Sequence, residues 1–189
     1  MKKIILLIFA IIMNFTNECQ AANTVQVYDG SPMDFFYEYN KAYDVVKQIK
    51  NDTTWAYIND FKQVDEDKEY KIYRGLFINK YDIDNYIKVY CNKGGAVSKI
   101  KIISHTNEAD ASAAKYLMTM ETYIIERYIL GLSVGEMQKL ANDLKLSDKE
   151  KDAFTGAVFC TAANRYIVKK FDVDEQSAES YYTISAFIE

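Results

Sequence analysis

The sequence predicts an α+β fold: an antiparallel sheet of about five to six strands in two meanders, with helices packed on one face. Two observations carry this expectation. Helix-period apolar spacing is confined to two blocks, near residues 31–50 and 107–146, and each block is followed by stretches rich in Tyr, Ile and Val. Helices and strands are thus segregated rather than alternating, which argues against parallel βαβ units. The breaks between the strand-like stretches are short and polar, as a meander requires.

Residues 1–21, MKKIILLIFAIIMNFTNECQA, place Lys2 and Lys3 before an apolar run from Ile4 to Met13 and a polar stretch ending in small residues. That is the order of a secretory signal peptide. The apolar run, about ten residues, is short of the roughly 20 that span a bilayer as a helix. Cleavage after Ala21 is expected. Cys19 is preceded by Thr16, Asn17 and Glu18, which do not fit a bacterial lipid-attachment site. Residues 22–189 contain no second long apolar run and no linker rich in Pro, Ser or Gly, and so read as a single α+β domain. The expected location is the periplasm or the outside of the cell, with no membrane insertion of the mature chain.

Ser31 reads as the N-cap and Pro32 as the first position of a helix whose apolar stripe is Phe35, Tyr39, Ala42, Val46 and Ile49. Residues from about Trp55 to Ser104 form the first run of strands, interrupted at DEDKE and at NKGG. A second helix is expected from Asn107, with a stripe of Ala113, Leu117, Met120, Ile124 and Tyr128, and Gly131 at its C-terminal cap. Ser133-x-x-Glu136 is a capping box for a third helix with Met137, Leu140, Ala141 and Leu144 on one face. Ser147-x-x-Glu150 repeats that signal. GAVFCTAA, RYIVKKFDV and SYYTISAFI return the chain to strand.

Most of the chemically suggestive residues lie between Asp82 and Glu108. Gly94 and Gly95 separate two strand-like stretches and serve a hairpin turn; a phosphate-cradling loop would be followed by a helix, and here a strand follows. Asp82-Ile83-Asp84 begins like a calcium loop, but the sixth and twelfth positions hold Ile87 and Lys93, where glycine and an acidic residue belong. His105, the sole histidine, is a strand-end residue beside Ser104. Adjacency in sequence does not make a nucleophile and its base converge. Asp65-Glu66-Asp67 reads as a solvated loop.

Without Cys19, two cysteines remain, Cys91 and Cys160, a candidate disulfide in an exported protein or else two separately buried thiols. With His105 they are too few for a structural zinc site. No catalytic, cofactor-binding or metal-ligating residue is assigned. The formal charge of −4, with lysines scattered along the chain, argues against nucleic acid as a partner.

FFYEYN on the first helix, the NKGGAVSKIKIIS hairpin, the long capped helix and the closing NRYIVKKF strand together give a layout that resembles small exported bacterial proteins of uncharacterised function. That resemblance implies an exported α+β domain and carries no catalytic residues across. Sixteen tyrosines, ten phenylalanines and Trp55 add the prospect of an aromatic ligand surface. The leading expectation is a non-catalytic binding or interaction domain for a protein, peptide or envelope ligand. The alternatives are an exported hydrolase with dispersed catalytic residues, or an inhibitor or immunity protein.

Overall fold

The computed structural model describes residues 26–50, 57–105, 111–147, 154–174 and 179–186. The signal-peptide reading, Trp55, the helix start at Asn107 and the second capping signal at Glu150 lie outside these residues. The elements run α1 (Pro32–Lys50), β1 (Tyr57–Glu66), β2 (Tyr70–Ile78), β3 (Asn85–Asn92), β4 (Val97–His105), α2 (Ala111–Ile124), a π-helical turn (Ile125–Ile129), α3 (Val134–Ser147), β5 (Phe154–Cys160), β6 (Arg165–Asp174) and β7 (Glu179–Ser185). No helix among the described residues is long and apolar enough to cross a membrane.

The strands make one seven-stranded antiparallel sheet in the order β1-β2-β3-β4-β7-β6-β5, one or two strands more than the five to six expected. The chain lays down one meander, β1 to β4, and then a second, β5 to β7, whose last strand docks on β4. Short turns make each meander. At the β3–β4 turn Gly95 donates to the Asn92 carbonyl and takes φ +91, a conformation open to glycine; of the Gly94–Gly95 pair, only the second adopts it. The β1–β2 hairpin is closed by Asp67, whose carboxylate accepts the backbone N–H groups of Glu69 and Tyr70.

Partners across adjacent strands share a face, so the register sorts every strand residue to one of two sides. One side holds the row Gly75, Ile87, Ile102, Tyr182 and the row Tyr73, Val89, Ile100, Ile184, Lys169, Gly156. Ile87, Val89, Ile100, Ile102 and Ile184 are fully buried and pack in one cluster with Phe35 and Tyr39 of α1, Met118 and Ile124 of α2 and Leu140 of α3. All three helices therefore lie on this side.

The expected helix caps form. Ser31 Oγ accepts from the Asp34 N–H, and the Asp34 carboxylate accepts from the Ser31 N–H and hydroxyl. The Ser133–Glu136 box forms as drawn, and the second Glu136 oxygen accepts the Thr161 N–H, tying α3 to the β5–β6 turn. Gly131 ends the helical run at φ +73.

The buried helix faces differ from the expected stripes. On α1 the buried set is Phe35, Tyr39, Ala42, Tyr43 and Val46, while Ile49 is 70 % exposed. On α2 the buried face is Ala114, Leu117, Met118, Glu121, Thr122, Ile124 and Ile125, leaving Met120 half-buried and Tyr128 exposed. A π turn is the reason for Tyr128: Leu130 donates to the carbonyl of Ile125, five residues back, and the extra residue turns the helix surface. Of the expected α3 face, Leu140 is fully buried, Met137 and Leu144 are half-buried, and Ala141 faces solvent.

Candidate functional site

The sheet face opposite the helices carries a row of charged side chains flanked by aromatic ones. Its central row runs Arg74, Lys88, Lys101, Thr183, Lys170 and Thr155 across β2, β3, β4, β7, β6 and β5. One row along lie Leu76, Tyr86, Ile103, Tyr181 and Asp172; on the other side lie Ile72, Tyr90, Lys99, Ser185 and Val168. The cations sit over the rings: Arg74 Cζ is 4.4 Å from the Tyr86 ring centre, Lys99 Nζ 4.7 Å from that of Tyr90, and Lys101 Nζ 3.4 Å from that of Tyr181. Lysines scattered in the sequence are thus gathered in space, because a period of two on adjacent antiparallel strands stacks them in register.

At the end of this face, where β4 and β7 pair, His105 lies opposite Glu179. His105 Nε2 is 3.1 Å from Glu179 Oε1, and the Tyr86 hydroxyl donates to the same oxygen at 2.8 Å. The Tyr86 hydroxyl is held above the ordinary phenol range by burial and by that carboxylate. His105 is thus the strand-end residue expected, but with an acidic partner 74 positions away that no local pattern announces. Ser104 points to the opposite side, where its hydroxyl donates to Asn85 Oδ1, so Ser104 and His105 do not converge.

Behind the sheet, between β3 and α2, Asn85 Nδ2 donates to both carboxylate oxygens of Glu121 at 3.2 and 3.4 Å. Glu121 is 1 % exposed, and burial, opposed by the Asn85 hydrogen bond, pushes its pKa up to about 8. A turn further along, Glu126 pairs with Lys169 at 2.8 Å with both side chains buried. These polar groups join α2 to the sheet from inside the core.

Cys91 and Cys160 are both free and buried. Of the two alternatives for this pair, bridged or separately buried, the structure has the second, and the sheet order gives the reason: β3 and β5 are separated by β4, β7 and β6, four strand spacings or about 19 Å. A disulfide needs α-carbons within about 7 Å. Burial pushes the Cys91 thiol up, against the pull of Lys71, so it is not an activated nucleophile. Asp82 and Asp84 are exposed in the loop before β3, where Ile83 turns inward against Ala114 and Leu117. Among the described residues no group of three or more His, Cys, Asp or Glu is placed to hold a metal.

Two shallow hollows flank α1. One, of about 440 Å³, is lined by Tyr28, Asp29, Gly30, Asp34, Tyr37 and Glu38, and the other, of about 210 Å³, by Asn40, Tyr43, Asp44, Lys47 and Tyr57. Neither includes His105, Glu179 or a residue of the cation row. No family model, curated protein or solved structure matches the chain.

Proposed function

We propose that this chain is an exported, non-catalytic binding domain that engages its ligand through the sheet face opposite the helices. The observation that carries the reading is the row Arg74, Lys88, Lys101 with Tyr86 and Tyr181 beside it, on a face with no helix packed against it among the described residues. Tyrosine offers apolar area and a hydroxyl at small conformational cost, and cations above the rings give that area a charge preference. The helices and core beneath serve as a rigid support. The test is a photo-crosslinking side chain introduced at Thr183 in the producing cell. An adduct is expected there that the Lys88→Glu, Lys101→Glu double variant abolishes, with none from the same group at Tyr37 on α1. Adducts from Tyr37 alone would refute the reading.

The His105–Glu179 pair favours a second reading, an exported hydrolase in which Glu179 orients the imidazole as a general base for water. Turnover of an ester, peptide or glycoside substrate that His105→Gln eliminates, without loss of folding, would select it over the first.

A further inference from the structure

Arg74 faces Lys88, and Lys88 faces Lys101, as direct cross-strand partners. Side chains in such positions start about 5 Å apart, and like charges placed so are destabilising. The sequence has 27 acidic residues with which to separate these cations, and here it does not use them. Among the described residues, none of the three forms an ion pair. The nearest countercharges, Glu179 and Asp172, lie toward one end; they favour the Lys101 ammonium, but burial first and Lys88 second outweigh them and lower its pKa.

Arg74 adds an independent sign. Its Nε is buried and finds no hydrogen-bond acceptor among the described residues. Buried donors are nearly always satisfied, so an orphan on a positively charged face calls for an acceptor from elsewhere. A guanidinium over an aromatic ring keeps its in-plane N–H groups for such an acceptor, and these form a fork that fits oxyanions.

We infer that the Arg74–Lys88–Lys101 row is a binding site for a ligand bearing a phosphate or sulfate ester, an oxyanion with three terminal oxygens. A carboxylate brings one charge and two oxygens against three cations with many more donors; a phosphate or sulfate group offers three or more acceptor oxygens. The Thr183 hydroxyl extends the row toward Lys170, which is paired with Asp172 at 3.1 Å, and the partly exposed Tyr181 flanks the organic part of the ester above a buried Tyr86. The inference rests on the reading of this face as the binding surface and supplies its ligand class.

The test is calorimetric titration of the mature chain with pyrophosphate, with inorganic sulfate and with chloride at matched ionic strength. Binding of pyrophosphate or sulfate above the chloride background is expected, and the stronger of the two identifies the ester. Lys88→Gln with Lys101→Gln weakens it by about tenfold or more, the weight of a charge-assisted hydrogen bond, while Lys139→Gln on α3 leaves it intact. The unliganded double variant melts higher than the parent, because like-charge repulsion is relieved. Absence of oxyanion binding, binding indifferent to the double variant, a lower melting point, or binding of a single-stranded oligonucleotide in place of the small anions overturns the inference. If oxyanions fail to bind while the Thr183 adduct is still lost in the Lys88→Glu, Lys101→Glu variant, the ligand class falls and the binding face stands; if both fail, both fall.

Discussion

Replacing Glu121 with glutamine removes one ionisable group from the core and leaves its size and a carbonyl oxygen for Asn85 Nδ2. The folded protein holds the Glu121 proton with a pKa of about 8, against an ordinary value of 4.5. Between those two pH values the folded state binds more protons than the unfolded chain, so stability falls as pH rises through that window. At 1.36 kcal/mol for each tenfold the full loss is about 5 kcal/mol, complete only above pH 8. About 0.8 kcal/mol of it is gone by pH 5 and about 3 by pH 7. Glu121→Gln does not titrate, so its advantage over the parent grows by about 2.5 kcal/mol between pH 5 and pH 7. Urea unfolding followed by circular dichroism at half-unit pH steps reads this directly. With a slope near 2 kcal/mol per molar urea, the separation of the two midpoints widens by about 1 M. Parent and variant curves that run parallel from pH 5 to pH 8 would refute the reasoning, since every ionisable group other than Glu121 is common to both.

Three further outcomes follow from the packing. Gly156→Ala places a Cβ 2.9 Å from the Leu140 carbonyl oxygen, so α3 must lift off β5; a loss of about 1–3 kcal/mol is expected in thermal unfolding, and none would mean that α3 does not rest there. Lys169→Met leaves the Glu126 carboxylate buried without its partner and costs about 3–5 kcal/mol, much of which the added change Glu126→Gln recovers in the same assay. Cys91 and Cys160 are expected to resist thiol reagents in the native protein, to label on unfolding, and to give no internal disulfide by mass spectrometry; a bridge between them would contradict the strand order.

The fold was legible where its signals are local. Ser31, Gly131 and the Ser133–Glu136 box act through neighbours within a few residues, and each appears in place. The meanders were legible because their turns are short. The helix faces were less so, because polar residues share them: Glu121 and Thr122 are buried on hydrogen bonds and Glu126 beside Lys169, so counting apolar residues alone misses the side that packs inward. The candidate site was not legible at all. Arg74, Lys88, Lys101 and Glu179 are brought together by strand register, and the neighbour of β4 is set by a pairing with β7 that spans most of the second half of the chain. The choice between a disulfide and two buried thiols was not legible for the same reason, since cysteine spacing says nothing about strand order.

The strand order also has a consequence for how the molecule comes together in time. The four strands of the first meander pair through nearby contacts and can zip up as they are made, whereas β4 gains its second neighbour only when β7 arrives, joining His105 to Glu179 and Lys99 to Ser185. Closing so long a loop is the slow, entropically costly step of such a topology. Until it happens, β4 presents an open backbone edge, the kind of edge that recruits other chains. Loss of residues 179–186 would therefore take out an inner strand rather than trim a margin, and with it Glu179, Tyr181 and Thr183. A chain cut there would keep Arg74, Lys88 and Lys101 in sequence while exposing β4 to self-association.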